Sequence, residues 1–249
     1  MQITLKKETY KGGGDGSSLS YTRCCQIVQV YDMLEQMGDT YTSYVEIQHN
    51  ANNCKLFGDT GADSAIRTIF PLLRKIGFVK YDETFMANRC FTKLGKAFAL
   101  TCRAYNNAFN SATKDNDVIA KLLDLKKNIQ RQGLLFMYQN SECSNHNMWI
   151  ALKLLQEFKT IHWNYFIYAL YLNEKKYSIN EVIEAIRIQS NDIKEAIFKN
   201  EKDKELANTI FSYVRAFLEE CDLISSTSSK SKDSTLTKDG LEFLSIIEL

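Results

Sequence analysis

The chain has 249 residues, of which 45% are apolar and 24% are charged, and its formal net charge is +1. These values are typical of a globular protein and leave room for one large domain or two ordinary ones. No apolar run reaches the length of a membrane span and no signal peptide is recognised, so we expect no membrane partner. The near-neutral charge gives no support to nucleic-acid binding, although the first 110 residues carry a small excess of Lys and Arg.

Cysteine and proline usage narrows the class of protein. The seven cysteines include no CxxC pair and are odd in number, so we expect reduced thiols and a cytoplasmic protein. A single proline in the whole chain, together with long periodic runs, favours a mostly helical fold.

The first 22 residues are poor in apolar side chains. Lys6, Lys7 and Lys11 lie beside a glycine run at 12–14, which lacks the Lys and Ser/Thr ending of a phosphate-binding loop. Two interpretations stay open: a disordered tail, or a basic arm that follows a DNA backbone or enters a groove.

The first helices follow from the spacing of apolar residues. Apolar side chains at three- and four-residue intervals predict a helix over Tyr21–Met37. A short second helix is expected over Tyr41–His49, and a third begins between residues 60 and 62. Pro71 lies inside the third helix and predicts a kink or a break there.

The third helix exposes a short polar face near its N-terminus. Asp63, Ser64 and Arg67 lie opposite its apolar stripe. In a helix-turn-helix protein these positions reach base edges. After Gly77 ends this helix, paired strands are predicted at Phe78–Tyr81 and Cys90–Thr92, with a polar wing at Asp82–Arg89 and a closing helix at Gly95–Tyr105.

The middle of the chain is predicted to connect two modules. Residues 106–116 are polar and turn-rich, and two amphipathic helices follow at Asp117–Gln132 and Asn147–Phe158. Their apolar stripes, which include Val118 and Leu125 in the first, are expected to pack the two modules against each other. Later helices are predicted at Trp163–Leu172, Ser178–Gln189, Asp192–Lys199 and Lys202–Cys221, with a wing at Thr227–Ser234.

An internal repeat relates the two halves of the chain. Sliding the sequence by 145 positions lays Leu72–Val79 over Phe217–Ile224. The same shift lays Phe91–Phe98 over Leu236–Phe243 without a gap. Each copy has the order helix, strand, polar excursion, strand ending in Thr-Lys-x-Gly, and helix.

This order resembles the second half of a winged helix-turn-helix module. The resemblance implies a mainly α fold with small β-wings, in which two winged helix-turn-helix modules are joined by a helical connector. The implied domains are an N-terminal arm (1–22), a first module (23–105), a linker with connector helices (106–160) and a second module (161–249). The repeat then places Asn208, Thr209 and Ser212 at the positions of Asp63, Ser64 and Arg67.

The sequence contains no recognisable catalytic or metal-binding motif. The only proline is followed by leucine, so the Pro-Asp motif of common restriction nucleases is missing as usually written. Carboxylates brought together by folding stay an open alternative. His49 with Cys54, and Cys143 with His146, are isolated pairs without the four-ligand spacing of a zinc site. We therefore predict no catalytic residue and no metal ligand in this chain.

Two winged modules, a basic arm and no catalytic centre resemble the DNA-recognition region of type IIS restriction endonucleases. The similarity covers residues 64–99 and 209–244 at the level of pattern. It implies sequence-specific binding of double-stranded DNA, with a nuclease domain or subunit as a further partner. It also implies no cofactor in this chain, since Mg²⁺ would serve only a separate nuclease domain. Two alternatives stay open: a stand-alone winged-helix regulator or defence-system accessory, and a winged-helix protein-interaction module.

The candidate DNA-binding residues have polar or charged side chains on the arm, the first helix, the two recognition helices or the wings. Lys and Arg neutralise phosphates, whereas Arg and Asn also pair with guanine and adenine edges. The candidates are Lys6, Lys7, Lys11, Arg23, Asp63, Ser64, Arg67, Arg89, Lys204, Asn208, Thr209, Ser212, Lys230 and Lys232.

Deletion of residues 1–16 tests the arm hypothesis. If the arm contacts DNA and becomes ordered only there, we expect weaker DNA binding and an unchanged midpoint of thermal unfolding. Fluorescence anisotropy with a labelled duplex and differential scanning calorimetry measure the two effects. A loss of stability above about 1 kcal/mol would instead assign the segment to the folded domain.

Overall fold

The computed structural model describes residues 18–58, 62–143, 146–189, 201–228 and 231–247, with the backbone only at 62–64, 189 and 201–204. These residues form two compact units, residues 19–139 (the first unit) and the residues from 140 onward (the second unit). Both units are mostly helical with a small antiparallel sheet, which confirms the predicted mainly α fold. Within the described ranges, no helix is long and apolar enough to cross a membrane.

Helices in the first unit begin and end at local sequence signals. The Ser20 hydroxyl accepts a hydrogen bond from the Arg23 amide at 3.4 Å, and Gly38, with a φ of 61°, follows the last residue of this helix. Ser43 and Glu46 form a capping box at the start of the second helix. The elements are α1 (Tyr21–Met37), β1 (Tyr41–Thr42), α2 (Tyr44–Asn53), α3 (Ala62–Lys75), β2 (Phe85–Met86), a 3₁₀ turn (Ala87–Arg89), α4 (Lys93–Asn110) and α5 (Asn116–Gln139).

The second unit uses different capping residues. His146 and His162 each cap a helix through Nδ1, at 3.3 and 3.1 Å from the amide nitrogen two residues on. Ser178 and Glu181 form the predicted capping box, and the hydrogen bonds from Ser178 lower the pKa of Glu181. The elements are a 3₁₀ turn (Ser141–Cys143), α6 (Asn147–Phe158), β3 (Thr160–His162), α7 (Trp163–Glu174), α8 (Ile179–Gln189), α9 (Glu201–Glu220), β4 (Ile224–Ser225), β5 (Asp233–Leu236) and α10 (Lys238–Ile247).

Each small sheet joins a leading strand to the hairpin that follows a long helix. In the first unit β1 pairs with β2, and Val79 pairs with Phe91 across the base of the hairpin. In the second unit the strand order is β3-β5-β4, so β3 lies beside the returning strand of the hairpin. The sequence predicts neither β1 nor β3, since strands of two and three residues are too short to show a period of two.

Several boundaries differ from the sequence prediction. The strands predicted at Phe78–Tyr81 and Cys90–Thr92 reduce to a single bridge between Val79 and Phe91, and β2 lies inside the predicted wing. Tyr41 belongs to β1 rather than to a helix, because the capping box at Ser43 starts α2 at Tyr44. Helix α3 runs through Pro71 without the expected break, and Pro71 is only half-buried. Helix α4 continues to Asn110, so the predicted linker shortens, and the connector predicted for residues 106–160 is divided between the two units. The helix predicted at 192–199 lies outside the described residues.

The long helix of the internal repeat ends in the same way in both copies. In the first copy, Gly77 follows α3 with a φ of 71°, and the Phe78 amide donates a hydrogen bond to the Leu73 carbonyl at 2.7 Å. This left-handed turn and its hydrogen bond end the helix and start the hairpin. The same features recur 145 residues later at Asp222, Leu223 and Leu218.

A set of contacts that we call the threonine–glycine lock joins each hairpin to the next helix. The Thr92 hydroxyl donates to the Gly77 carbonyl at 2.7 Å and accepts from the Gly95 amide at 3.1 Å. The Thr92 amide donates to the Phe78 carbonyl at 3.0 Å, and a Cβ atom on Gly95 would overlap that carbonyl oxygen. The second copy repeats the lock with Thr237, Asp222, Gly240 and Leu223.

Buried aromatic rings fill the core of each unit. In the first unit, Phe78 and Phe98 are fully buried, with ring centroids 4.8 Å apart. Burial also raises the pKa of Cys90 to about 12, so this side chain stays a neutral thiol. In the second unit, Phe166 and Phe211 pack with centroids 5.8 Å apart. Each hairpin packs on one of these cores together with the helix that precedes it, α3 or α9. This packing determines which face of that helix is exposed.

The threonine–glycine lock predicts a large loss of stability for Gly240→Ala. We expect the free energy of unfolding of the second unit to fall by about 2–3 kcal/mol, because the added methyl group overlaps the Leu223 carbonyl. Both tryptophans, Trp149 and Trp163, lie in this unit, so urea unfolding followed by tryptophan fluorescence measures the change. The exposed-site control Glu242→Ala should cost less than about 0.5 kcal/mol. Equal costs for the two variants would contradict the lock.

Candidate nucleic-acid interface

Helix α3 presents two guanidinium groups on its exposed face. Arg67 and Arg74 are both exposed and lie seven residues apart, which is two helical turns and about 10 Å along the helix axis. The opposite face buries Ile66, Ile69 and Leu73 in the core. Packing of that apolar face therefore determines the direction in which the two arginines point.

Arg74 is held by the hairpin that follows α3. Its guanidinium lies over the Tyr81 ring, 4.9 Å from the ring centroid. Tyr81 stacks on Tyr44 of α2, with centroids 5.6 Å apart and an interplanar angle of 7°. Burial raises the pKa of Tyr81, and the positive charge of Arg74 opposes that rise. These contacts fix Arg74 against both α2 and the hairpin.

The first hairpin carries charges of both signs. Asp82 and Glu83 are exposed at its tip, and Lys80, two residues before Asp82, is also exposed. Arg89 is exposed on the 3₁₀ turn where the chain returns. Because the tip is acidic, this hairpin attracts a phosphate backbone less strongly than a purely basic wing would.

Helix α9 presents a neutral polar face. Its predicted contact residues Asn208, Thr209 and Ser212 are all exposed. The Thr209 hydroxyl donates to the Glu205 carbonyl at 2.9 Å and the Ser212 hydroxyl donates to the Asn208 carbonyl at 2.7 Å, which leaves both oxygens able to accept. In residues 205–220, whose side chains are all described, the only Lys or Arg is Arg215, which is buried. Helix α9 therefore differs from α3 in charge.

The buried side chain of Arg215 contacts the backbone of the second hairpin and holds it in place. Its Nη1 atom donates to the Ser231 carbonyl at 2.6 Å, and its guanidinium lies 5.6 Å from the centroid of the Phe211 ring. On the hairpin itself, Lys232 is exposed, with its Nζ atom 5.6 Å from the centroid of the Trp163 ring. Lys232 is thus available to a ligand, whereas Arg215 is not.

Of the remaining predicted residues, only Arg23 has a described side chain. Arg23 lies in the first turn of α1, is half-buried and donates to Oε1 of Gln26 at 2.8 Å. The side chains of the other candidates lie outside the described residues: Lys6, Lys7, Lys11, Asp63, Ser64, Lys204 and Lys230.

Sequence reasoning missed Arg74 and the aromatic rings that support it. A signal for Arg74 exists in the sequence, because it lies two helical turns from Arg67 on the same face. No comparable signal exists for Tyr44, since its stacking on Tyr81 depends on how α2 packs against the hairpin.

Comparison with known proteins finds no match to this chain among protein-family models, curated proteins or solved structures. In the part of the chain that the structure describes, no group of three or more His, Cys, Asp or Glu side chains is placed to hold a metal ion. The candidate interface is therefore assigned from its own geometry and charge.

The role of Arg215 as a support for the hairpin predicts the effect of Arg215→Met. We expect the free energy of unfolding of the second unit to fall by about 2 kcal/mol, because the variant loses a hydrogen bond from a charged group. Arg187→Met is the matched control, since Arg187 is exposed and pairs with Glu157 at the surface, where ion pairs contribute less than about 1 kcal/mol. Urea unfolding followed by tryptophan fluorescence measures both. A cost for Arg215→Met no larger than that for Arg187→Met would contradict the role.

Proposed function

We propose that the chain binds double-stranded DNA and that each unit is a winged-helix module. The order of elements supports this assignment, because each unit has a helix, a short strand, further helices, a hairpin and a closing helix. The leading strand pairs with the returning part of the hairpin in both units. In DNA-binding modules of this kind the helix before the hairpin enters the major groove. We assign that role to α3 and α9.

The exposed arginines of α3 are the observation that carries this proposal. Arg67 and Arg74 give this helix two positive groups about 10 Å apart on one face. Guanidinium groups bind phosphates and also pair in a bidentate manner with guanine in the major groove. Because Arg74 is held by Tyr81, we assign Arg74 to the phosphate backbone and Arg67 to the bases.

Helix α9 has the groups to contribute specificity rather than electrostatic attraction. The Asn208 amide suits adenine, which offers one donor and one acceptor in the major groove. Thr209 and Ser212 have oxygens that accept hydrogen bonds from base amino groups. Lys232 supplies a positive charge on the adjacent hairpin for a phosphate contact.

Two biological settings are compatible with this function. The chain is either the target-recognition region of a restriction endonuclease or a stand-alone DNA-binding regulator or defence-system accessory. A nuclease domain encoded with this chain would favour the first setting, and Mg²⁺ would then serve that domain alone. The residues proposed to contact DNA are the same in both biological settings.

A second candidate function is protein binding by the second unit. Helix α9 lacks an exposed Lys or Arg in residues 205–220, and two of its larger side chains, Leu206 and Tyr213, are 39% and 40% exposed. Such a face suits a protein surface better than a phosphate backbone. A loss of DNA affinity on mutation of α9 would favour DNA binding by the second unit, whereas an unchanged affinity would favour protein binding.

The proposal predicts the effect of Arg67→Ala on DNA binding. We expect affinity for a duplex selected from a randomised pool to fall by about 1–3 kcal/mol, with relaxed preference at one base position. Fluorescence anisotropy over a series of salt concentrations measures both the affinity and the release of counterions. Lys232→Ala should instead weaken selected and random duplexes alike and flatten the salt dependence.

Arg187→Ala is the matched control, because it removes the same charge from an exposed arginine on α8 of the second unit. It should leave DNA affinity nearly unchanged. No selected duplex, or equal losses from Arg67→Ala and Arg187→Ala, would count against recognition by α3.

A further inference from the structure

The hairpin of helices α4 and α5 carries apolar side chains that remain uncovered. None of residues 116–125, all of them described, is buried, although five large aliphatic side chains lie among them. Val118 and Leu125 are 42% and 49% exposed. On α4, Leu100 is exposed, and none of residues 103–110 is buried. We call residues 100–125 the α4–α5 tip.

The rest of α5 shows how this helix packs when it has a partner. Ile129, Leu134 and Met137 are buried in the first unit, on the face that contacts α4 and the core. Val118 and Leu125 continue the Ile129 side of this apolar stripe toward the tip, since Leu125 lies one turn before Ile129. An apolar stripe that is buried along one half of a helix and exposed along the other half needs a cover on the exposed half. The α4–α5 tip is therefore an interaction surface.

The order of charges along α5 indicates which partner covers the tip. Asp117, Lys121, Asp124 and Lys127 follow each other at spacings of three or four residues, with alternating sign. When this helix is laid antiparallel to a copy of itself on the Val118 face, Lys121 lies opposite Asp124 of the copy. Lys127 lies on the far side of the helix and pairs with Asp124 of its own chain at 3.8 Å. Lys126, the other charged residue within this stretch, is buried and donates to the Leu19 carbonyl at 3.3 Å. The exposed residues Lys121 and Asp124 are thus complementary in charge to the same two residues of a second, antiparallel copy.

We propose that a second copy of this chain covers the α4–α5 tip, with the two α5 helices antiparallel and the tips forming a four-helix arrangement. A two-fold axis makes the same surface contact itself, which is the commonest geometry of protein dimers. Leu125 and Val118 of each copy lie at the centre of this contact, and the alternating charges lie at its edge. Helical hairpins that pair in this way bury their apolar stripes as in four-helix bundles.

Sedimentation velocity of the full chain over a wide range of protein concentration tests the proposal without DNA, so its outcome is separate from that of the proposed function. We expect a concentration-dependent dimer, and Leu125→Glu should raise its dissociation constant at least about tenfold, because a charge would be buried in the contact. Val45→Glu is the control, since Val45 of α2 is 56% exposed and lies outside the tip. A wild-type protein that stays monomeric, or a dimer that Leu125→Glu leaves unchanged, overturns the proposal.

A charge exchange tests the antiparallel arrangement. Lys121→Asp places two acidic groups opposite each other and should weaken the dimer. Adding Asp124→Lys restores an alternating pair across the axis and should recover the original dissociation constant, because each carboxylate again faces an ammonium group. Circular dichroism shows whether each variant is folded. A dimer that the single variant weakens and the double variant fails to recover overturns the antiparallel contact.

Discussion

The position of both hairpins depends on the threonine–glycine lock. A two-stranded hairpin has little stability of its own in water, so its place must come from the elements around it. In the lock, a threonine hydroxyl bonds to the turn after one helix while a glycine lets the next helix approach the hairpin backbone. A side chain at Gly95 or Gly240 would separate the hairpin from the closing helix. The helix before the hairpin would then lose the packing that determines which of its faces is exposed.

The same backbone frame carries different side chains in its two copies. Phe70 of α3 and Arg215 of α9 are equivalent at the offset of 145 residues, as are Arg74 and Glu219. The first hairpin rests on aromatic rings, which places Arg74 over Tyr81 at the surface. The second hairpin is tied by the buried Arg215, so the cation of α9 points inward. The two copies therefore share the hydrogen bonds of the lock and the glycine at 95 and 240, whereas the exposed faces of α3 and α9 differ in charge.

Sequence periodicity predicts the long elements well because each buries one continuous face. Helices α1 and α6 begin and end at the predicted residues. The repeat predicts a hairpin after each long helix, but the strands predicted for the first hairpin reduce to the bridge between Val79 and Phe91. Periodicity fails for β1 and β3, whose two or three residues are specified by pairing with a distant strand. It also fails at Pro71, where the helix continues. Proline has no amide hydrogen, so the Arg67 carbonyl loses its hydrogen-bond partner, but Arg67 lies on the exposed side of α3. Of the candidate site, Arg67 follows from the helical pattern, whereas the support of Arg74 by stacked rings requires the tertiary structure.

If the chain binds DNA as proposed, pairing of two chains through α5 would constrain the DNA sequence that the pair can bind. A two-fold axis relates the two α3 helices of a dimer, so a duplex that binds both must present the same bases as an inverted repeat. The resemblance to type IIS endonucleases implies instead an asymmetric site. Recognition of such a site requires that each chain binds its own duplex. The two unlike helices α3 and α9 of that chain would then contact different bases. The differing charge of α3 and α9 suits an asymmetric site, because two unlike surfaces cannot contact the two halves of a palindrome equally. The symmetry of the selected duplex would therefore show whether the α5 contact joins two chains on one site or brings two separately bound sites together.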